Sequence, residues 1–247
     1  MKSNILTDHT LIIDEIERSI KIHNWTSILS FLPKGSYLVG GYIRDIVLKR
    51  VTEKIDVDIV VPSNAIAIGE MISENIKSKF IILDKEREVV RIILKHISID
   101  ISNQIDSTIE CDLRSRDFSI NSIAYLFDKK ILFDPLNGLK DLQFSLLKTY
   151  SEINLINDPL RILRCFRFVS EFNFKIDLKL VDLIKKNKGK LFLVAKERIN
   201  YEIQKIVHGA NALDAVLLIK KLNIFCTDNL SDDSFFLDLG KINYADL

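Results

Sequence analysis

The chain has 247 residues, 47% of them hydrophobic and 28% charged, with a formal net charge of +1. That composition excludes a disordered or coiled-coil chain and gives no overall basic signature of a nucleic-acid partner. No apolar run reaches the length of a membrane span, residues 1–8 lack a basic-then-apolar leader pattern, and the three cysteines (Cys111, Cys165, Cys226) are too scattered for a disulfide framework or a metal knuckle. A reducing, cytoplasmic setting without membrane attachment is the expectation.

Leu11 to Asn24 carries Leu11, Ile12, Ile16 and Ile20 on one side, the spacing of an amphipathic helix. A short helix around Trp25 to Leu32 stops before the Pro33-Lys34-Gly35 turn. Tyr37 to Val39 reads as a buried strand, broken by Gly40-Gly41, and Tyr42 to Lys49 as a helix. Ile55 to Val61 is rich in β-branched residues and ends at Pro62, so it predicts a strand. A helix over Ala65 to Lys77 precedes three strands, Phe80 to Leu83, Val89 to Leu94 and Ile97 to Ser102. Ile120 to Leu126 predicts a helix and Lys130 to Phe133 a strand, followed by turns at Asp134-Pro135 and Asn137-Gly138. Beyond about Phe144 the pattern becomes helical: Asp158 to Phe172, Leu178 to Lys185, Ile199 to Val207 and Ala212 to Leu222. The fold class is therefore an α/β head with a mixed sheet over residues 1–146, followed by an all-α region over residues 147–247. The boundary falls between Leu146 and Ile156.

Charge is uneven along the chain. Lys148 to Lys221 holds fifteen Lys/Arg against eight Asp/Glu, whereas Leu222 to Leu247 holds one Lys against five Asp. A basic helical stretch is either a phosphate-backbone footprint or a solvated Lys-rich surface.

Five groups of residues could carry chemistry. Gly40-Gly41 between a strand and a helix lets the backbone approach an anion, and Arg44 adds a charge nearby. Asp56 and Asp58, two apart on a strand, share one face; paired carboxylates either hold a cation between them or are ordinary solvent-facing charges. Asp100 is a lone acid in the apolar strand Ile97 to Ile101 and a candidate third carboxylate. Asp112 to Ser122 clusters charges, with Asp117 or Ser119 equally able to cap a helix. Asp158-Pro159 reads as a helix start with Asp158 as N-cap, and Arg161, Arg164 and Arg167 follow at steps of three, suited either to an anionic or hydrogen-bonding ligand or to pairing with Glu171.

In this order the segments resemble the class II tRNA nucleotidyltransferase and bacterial poly(A) polymerase family. GGYIRDIVLKRVTEKIDVDIVV (40–61) resembles its glycine, Arg-Asp and paired-Asp motif. DLRSRDFSINSIAY, FDPLNGLKDL, DPLRILRCFRF and VAKERINYEI are similar to four later motifs. Ser115 stands where a second arginine usually precedes Arg116, and Asn157 where many members carry Glu.

The resemblance implies a nucleotidyltransferase that moves CMP or AMP from CTP or ATP onto the 3′ end of tRNA. Asp56 and Asp58 would hold Mg²⁺, with Asp100 near the attacking hydroxyl. Gly41, Arg44 and Arg116 would bind the triphosphate. Asp158 and Arg161 would read the base, supported by Arg164 and Arg167. The stretch between Val61 and Val89 would be the loop that switches CTP for ATP. Full CCA addition is the first expectation, with CC-only, A-only or poly(A) addition as alternatives. An inactive RNA-binding relic and a small-molecule nucleotidyltransferase of the same superfold are the other classes. The family extends further beyond its base-reading helix than the 80 residues that follow Arg167 here, so the resemblance speaks for catalysis and base reading more than for RNA grip.

Overall fold

The structure, a computed structural model, describes residues 5–23, 25–50, 54–106 and 108–225. Within them the chain separates into two units, divided between Phe144 and Ser145. Cys226, Asn24, Val51 to Glu53 and the acidic stretch after Phe225 lie outside the described residues.

The first unit opens with helix α1 (His9–Ile22), started by Asp8, whose carboxylate accepts from the Thr10 amide at 2.7 Å. Its Ile12, Ile16 and Ile20 are buried at helical spacing. Helix α2 (Thr26–Leu29) and strand β1 (Tyr37–Val39) follow, then α3 (Gly41–Val47), β2 (Ile55–Val61) and α4 (Ala65–Ile76). Strands β3 (Lys79–Asp84), β4 (Val89–Leu94) and β5 (Ile97–Asn103) come next. Helix α5 (Ile109–Ser115), a 3₁₀ turn at Ser119–Asn121, strands β6 (Ala124–Leu126) and β7 (Ile131–Phe133) and helix α6 (Gly138–Gln143) complete it.

The seven strands make one mixed sheet in the order β3-β4-β5-β2-β1-β6-β7, in which only β2 and β5 run parallel. Alternation gives the central strands two different faces. Val57, Ile59, Val90, Ile92, Ile99 and Ile101 are all buried to 1% exposure or less. Helix α4 packs on β4 and β5. A Cβ on Gly69 of that helix would stand 2.6 Å from the Val90 side chain, so the helix sits close because position 69 has none. The residues between these apolar ones, Asp56, Asp58, Arg91 and Asp100, necessarily share the other face.

One expectation for this unit is corrected. Ile120 to Leu126 is not a helix: Ser119–Asn121 is a 3₁₀ turn and Ala124–Leu126 is a strand between β1 and β7. All three β6 residues are buried, so the strand shows no alternation, and a short apolar run does not distinguish strand from helix. Residues 62–88 hold α4 and β3, the helix and strand the sequence predicts there, and Ala65 to Ile76 buries Ala65, Ile68 and Ile72 at helical spacing.

The second unit holds strand β8 (Leu146–Leu147) and helices α7 (Glu152–Asn157) and α8 (Arg161–Phe172). Strand β9 (Lys175–Ile176) pairs with β8 in a two-residue parallel ladder. Helix α9 (Leu178–Asn187), a 3₁₀ segment, and helices α10 (Lys196–Val207) and α11 (Ala212–Lys221) follow. Helices α10 and α11 pack on α8, whose Ile162, Leu163, Cys165, Phe166 and Phe168 are fully buried. Asp158 is not the N-cap of α8. It ends α7 in an extended conformation (φ −141°, ψ 91°), and α8 starts at Arg161. The backbone reason is local: Asp158 O accepts from Arg161 N at 3.1 Å, which makes a turn ahead of the helix. No described helix is long and apolar enough to cross a membrane.

Candidate active site

The site is assembled where β1 ends beside β2. Val39 pairs with Asp58, so the residue after it, Gly40, faces that carboxylate. Gly40 has φ +78° and ψ −139°, a combination that side-chain-bearing residues avoid. A Cβ there would lie 2.9 Å from Asp58 Oδ2 and 3.0 Å from Arg116 Nη1. The glycine therefore serves two needs, the reversal of the chain and room for an acid and an arginine to converge. Arg116 is anchored from behind by Asp112, with Nε donating to Oδ2 at 3.0 Å.

Asp56 is exposed and Asp58 half-buried on the same face of β2. Both line a cavity of about 360 Å³, together with Ser19, Tyr42, Arg50 and Lys54. Gly41 and Arg44 also line it. Arg44 is the most enclosed of the cavity's cations at 9% exposure. Its guanidinium donates to Asn121 Oδ1 at 2.8 Å and to both Asp45 oxygens at 3.0 Å. Asn121 is itself held by Asp117 at 2.9 Å. The motif arginine is thus fixed by the 3₁₀ turn of a distant motif, 77 residues on.

Asp100 is the direct neighbour of Asp58 on the parallel strand β5 and of Arg91 on β4. Arg91 grips it as a fork, Nε to Oδ1 at 2.7 Å and Nη2 to Oδ2 at 2.8 Å. That fork, with the charges of Asp56 and Asp58 behind it, raises the Arg91 pKa against the effect of burial. Among the described residues no three acid, histidine or cysteine side chains converge as one metal-binding group. The structure brings Asp56 and Asp58 to the cavity and places Asp100 in an ion pair.

The second candidate group lies in the helical unit. The Asp158 carboxylate meets Arg198 of α10 at 3.3 and 3.4 Å. Arg161 is the first residue of α8. Arg164 and Arg167 both lie over the Phe168 ring, at 6.0 and 5.1 Å from its centre. Arg167 is buried, and its Nη1 donates to both Glu202 oxygens at 3.0 and 3.1 Å. Asp158 thus stands at the end of α7 and Arg161 at the start of α8, whereas Arg167 belongs to the packing between α8 and α10.

Sequence reasoning passed over Arg91 and assigned no role to Asp112, Asn121, Arg198 or Glu202, each of which holds a candidate residue in place. Arg198 and Glu202 fall within the VAKERINYEI segment, so the resemblance marked their segment without their roles. Arg91 had a readable signal. A two-residue turn, Lys95-His96, joins Leu94 to Ile97, and counting back along both strands puts position 91 opposite 100.

Residues 36–148 match the model of the poly A polymerase head domain. The chain is 38% identical over 174 residues to a CC-adding tRNA nucleotidyltransferase of Synechocystis, covering 70% of this chain and 42% of that protein. It is 31% identical over 197 residues to an A-adding tRNA nucleotidyltransferase of Deinococcus radiodurans, covering 78% and 44%. The Thermotoga maritima CCA-adding enzyme, solved with tRNA, superposes with a TM-score of 0.69 at 32% identity, covering 76% of this chain and 47% of that one. The chain spans about half the length of the curated relatives it matches.

Proposed function

We propose, from the match of residues 36–148 to the poly A polymerase head domain, that the chain transfers CMP or AMP from CTP or ATP to the 3′ end of tRNA. The observation that carries this reading is the carboxylate pair, Asp56 and Asp58, set on one strand face of a cavity that Gly41 and Arg44 also line.

A hard divalent cation fits the donors present. They are all oxygen, one is exposed, and the pair faces open volume that substrate phosphates can enter. Mg²⁺ takes one or two carboxylates together with phosphate oxygens. When bound, two such ions would lower the pKa of the tRNA hydroxyl and neutralise charge on the leaving pyrophosphate. The remaining work falls to the chain. Gly40 and Gly41 leave backbone open to the triphosphate, and Arg116, held by Asp112, places its charge beside Asp58. Arg44, locked by Asn121 and Asp45, supplies a fixed positive wall. Asp158 and Arg161 read the edge of the incoming base by hydrogen bonds, in place of a template.

Among the end-building activities, CC addition has a specific observation in its favour: four of the curated relatives, at 28–38% identity, are named CC-adding tRNA nucleotidyltransferases. The test is a length assay with Mg²⁺ and tRNA transcripts ending before CCA, after C and after CC, each given CTP, ATP or both. Growth by two C residues only supports CC addition, and growth by three supports the full CCA activity. Asp56→Asn and Asp58→Asn should each abolish growth. Undiminished growth in either would remove the carboxylates from the chemistry, and no growth by the folded wild type on any transcript would overturn the reading.

A further inference from the structure

The third acid of the site is held in a way that its position alone does not explain. Arg91, Asp100 and Asp58 form one rung across three adjacent strands, on the polar face of the sheet. Asp100 has two carboxylate oxygens, and each accepts a short bond from the same guanidinium. The pair is partly buried, with side-chain exposures of 40% and 25%. A forked pair of this kind fixes both position and direction of the carboxylate. Among the described residues Asp56, Asp58 and Asp100 form no three-acid metal-binding group.

We propose that Arg91 is a positioning residue that withholds Asp100 from direct cation ligation, so that the cation is held by Asp56 and Asp58 and its affinity is set by the Arg91 charge. The inference rests on the reading of Asp56 and Asp58 as the cation-binding pair. Two effects work in the same direction. The fork occupies the Asp100 oxygens, and a positive charge on the same sheet face opposes an incoming dication. Removing Arg91 releases a third carboxylate and removes that opposition together.

The experiment is titration of the purified chain with Mn²⁺, following free Mn²⁺ by its electron paramagnetic resonance signal, without nucleotide or RNA. Arg91→Gln should bind Mn²⁺ well over tenfold more tightly than wild type: loss of a unit charge near a dication in screened surroundings accounts for about tenfold, and the released Asp100 carboxylate adds a ligand on top of that. In an Asp100→Asn background, Arg91→Gln should tighten binding by much less, because no carboxylate is released. Arg91→Lys, which keeps the charge without the fork, should fall between. Nucleotide addition by Arg91→Gln should show a lower kcat with little change in the KM for CTP, since Asp100 is then no longer fixed beside Asp58.

Weaker or unchanged Mn²⁺ binding in both Arg91→Gln and Arg91→Lys would overturn the proposal, and so would equal tightening with and without Asp100. A failure of the underlying reading looks different: wild type would then bind no Mn²⁺, or would bind it equally well after Asp56→Asn and Asp58→Asn. If Arg91→Gln fails to fold, Arg91→Lys alone and with Asp100→Asn carries the same comparison.

Discussion

Replacing Gly40 with alanine tests whether the turn before α3 is shaped for chemistry or only for chain reversal. The added Cβ would stand 2.9 Å from Asp58 Oδ2 and 3.0 Å from Arg116 Nη1, each several tenths of an ångström inside ordinary contact. The backbone at φ +78°, ψ −139° adds a strain of about 1–3 kcal/mol for a residue with a side chain. Gly35 is the natural control. It also has a positive φ, +81°, but a Cβ there meets only Pro62 at 3.5 Å, an ordinary contact. Gly35→Ala therefore carries backbone strain of about 1–2 kcal/mol without touching the acids. Both variants should lower the urea midpoint. Only Gly40→Ala should also lower single-turnover nucleotide addition, on the order of 10²-fold, because it displaces a reacting group by a fraction of an ångström. Equal activity loss in the two variants would make the effect one of stability alone. Full activity in Gly40→Ala would show that Asp58 and Arg116 need no such room.

Glu202→Leu leaves the buried Arg167 without its principal partner and should cost about 3–5 kcal/mol in urea unfolding, whereas Arg167→Met with Glu202→Leu should recover most of that loss; an additive double variant would refute the pairing. Arg198→Ala should change stability by less than about 1 kcal/mol, since its pair with Asp158 is exposed. It should relax discrimination among CTP, ATP and UTP by up to about tenfold, read as ratios of kcat/KM, if Arg198 orients the base-reading carboxylate; unchanged ratios would remove that role. Burial acts to raise the Glu17 pKa, but hydrogen bonds from Lys130 and Tyr125 outweigh it, and the net shift is downward. A depressed carboxylate stabilises the fold above its unfolded pKa near 4.5 and loses that contribution as pH falls through its folded value. Thermal melts below about pH 4.5 should therefore fall less steeply in Glu17→Gln than in wild type.

The strands that bound the site were legible because their residues alternate or are β-branched: β1, β2 and β4 have the bounds their sequence predicts. The elements around the second motif were not. Helix α5 carries Glu110, Asp112 and Arg114 among its seven residues, so charge hides its short apolar side of Ile109 and Leu113. Helix α6 begins directly at Gly138 after Asn137 at φ +56°, a pair that reads as a turn. What starts it is remote from any capping pattern: Asp134 accepts from the Gly138 and Leu139 amides at 2.6 and 3.0 Å. The Asp-Pro at 158–159 has every local mark of a helix start, yet the Asp158 side chain reaches Arg198, 40 residues away. Local signals locate elements well where one residue decides, and poorly where a partner far along the chain decides.

The same distinction governs the site. Asp56, Asp58 and Asp100 can be found by eye as acids in apolar strands, but their roles differ through partners that only the sheet register supplies. Three carboxylates on one sheet face repel unless positive charge is placed among them. The chain provides that charge from two sides. Arg116, at the end of α5, converges on Asp58 over the bare Cα of Gly40, and Arg91, across the β4–β5 ladder, closes on Asp100. Asp56 is the acid left exposed at the cavity wall. The carboxylates are therefore ordered by the protein's own cations before any ligand arrives. This arrangement offsets the repulsion within the acidic face and, on the proposed reading, leaves carboxylate oxygens for a dication at one edge.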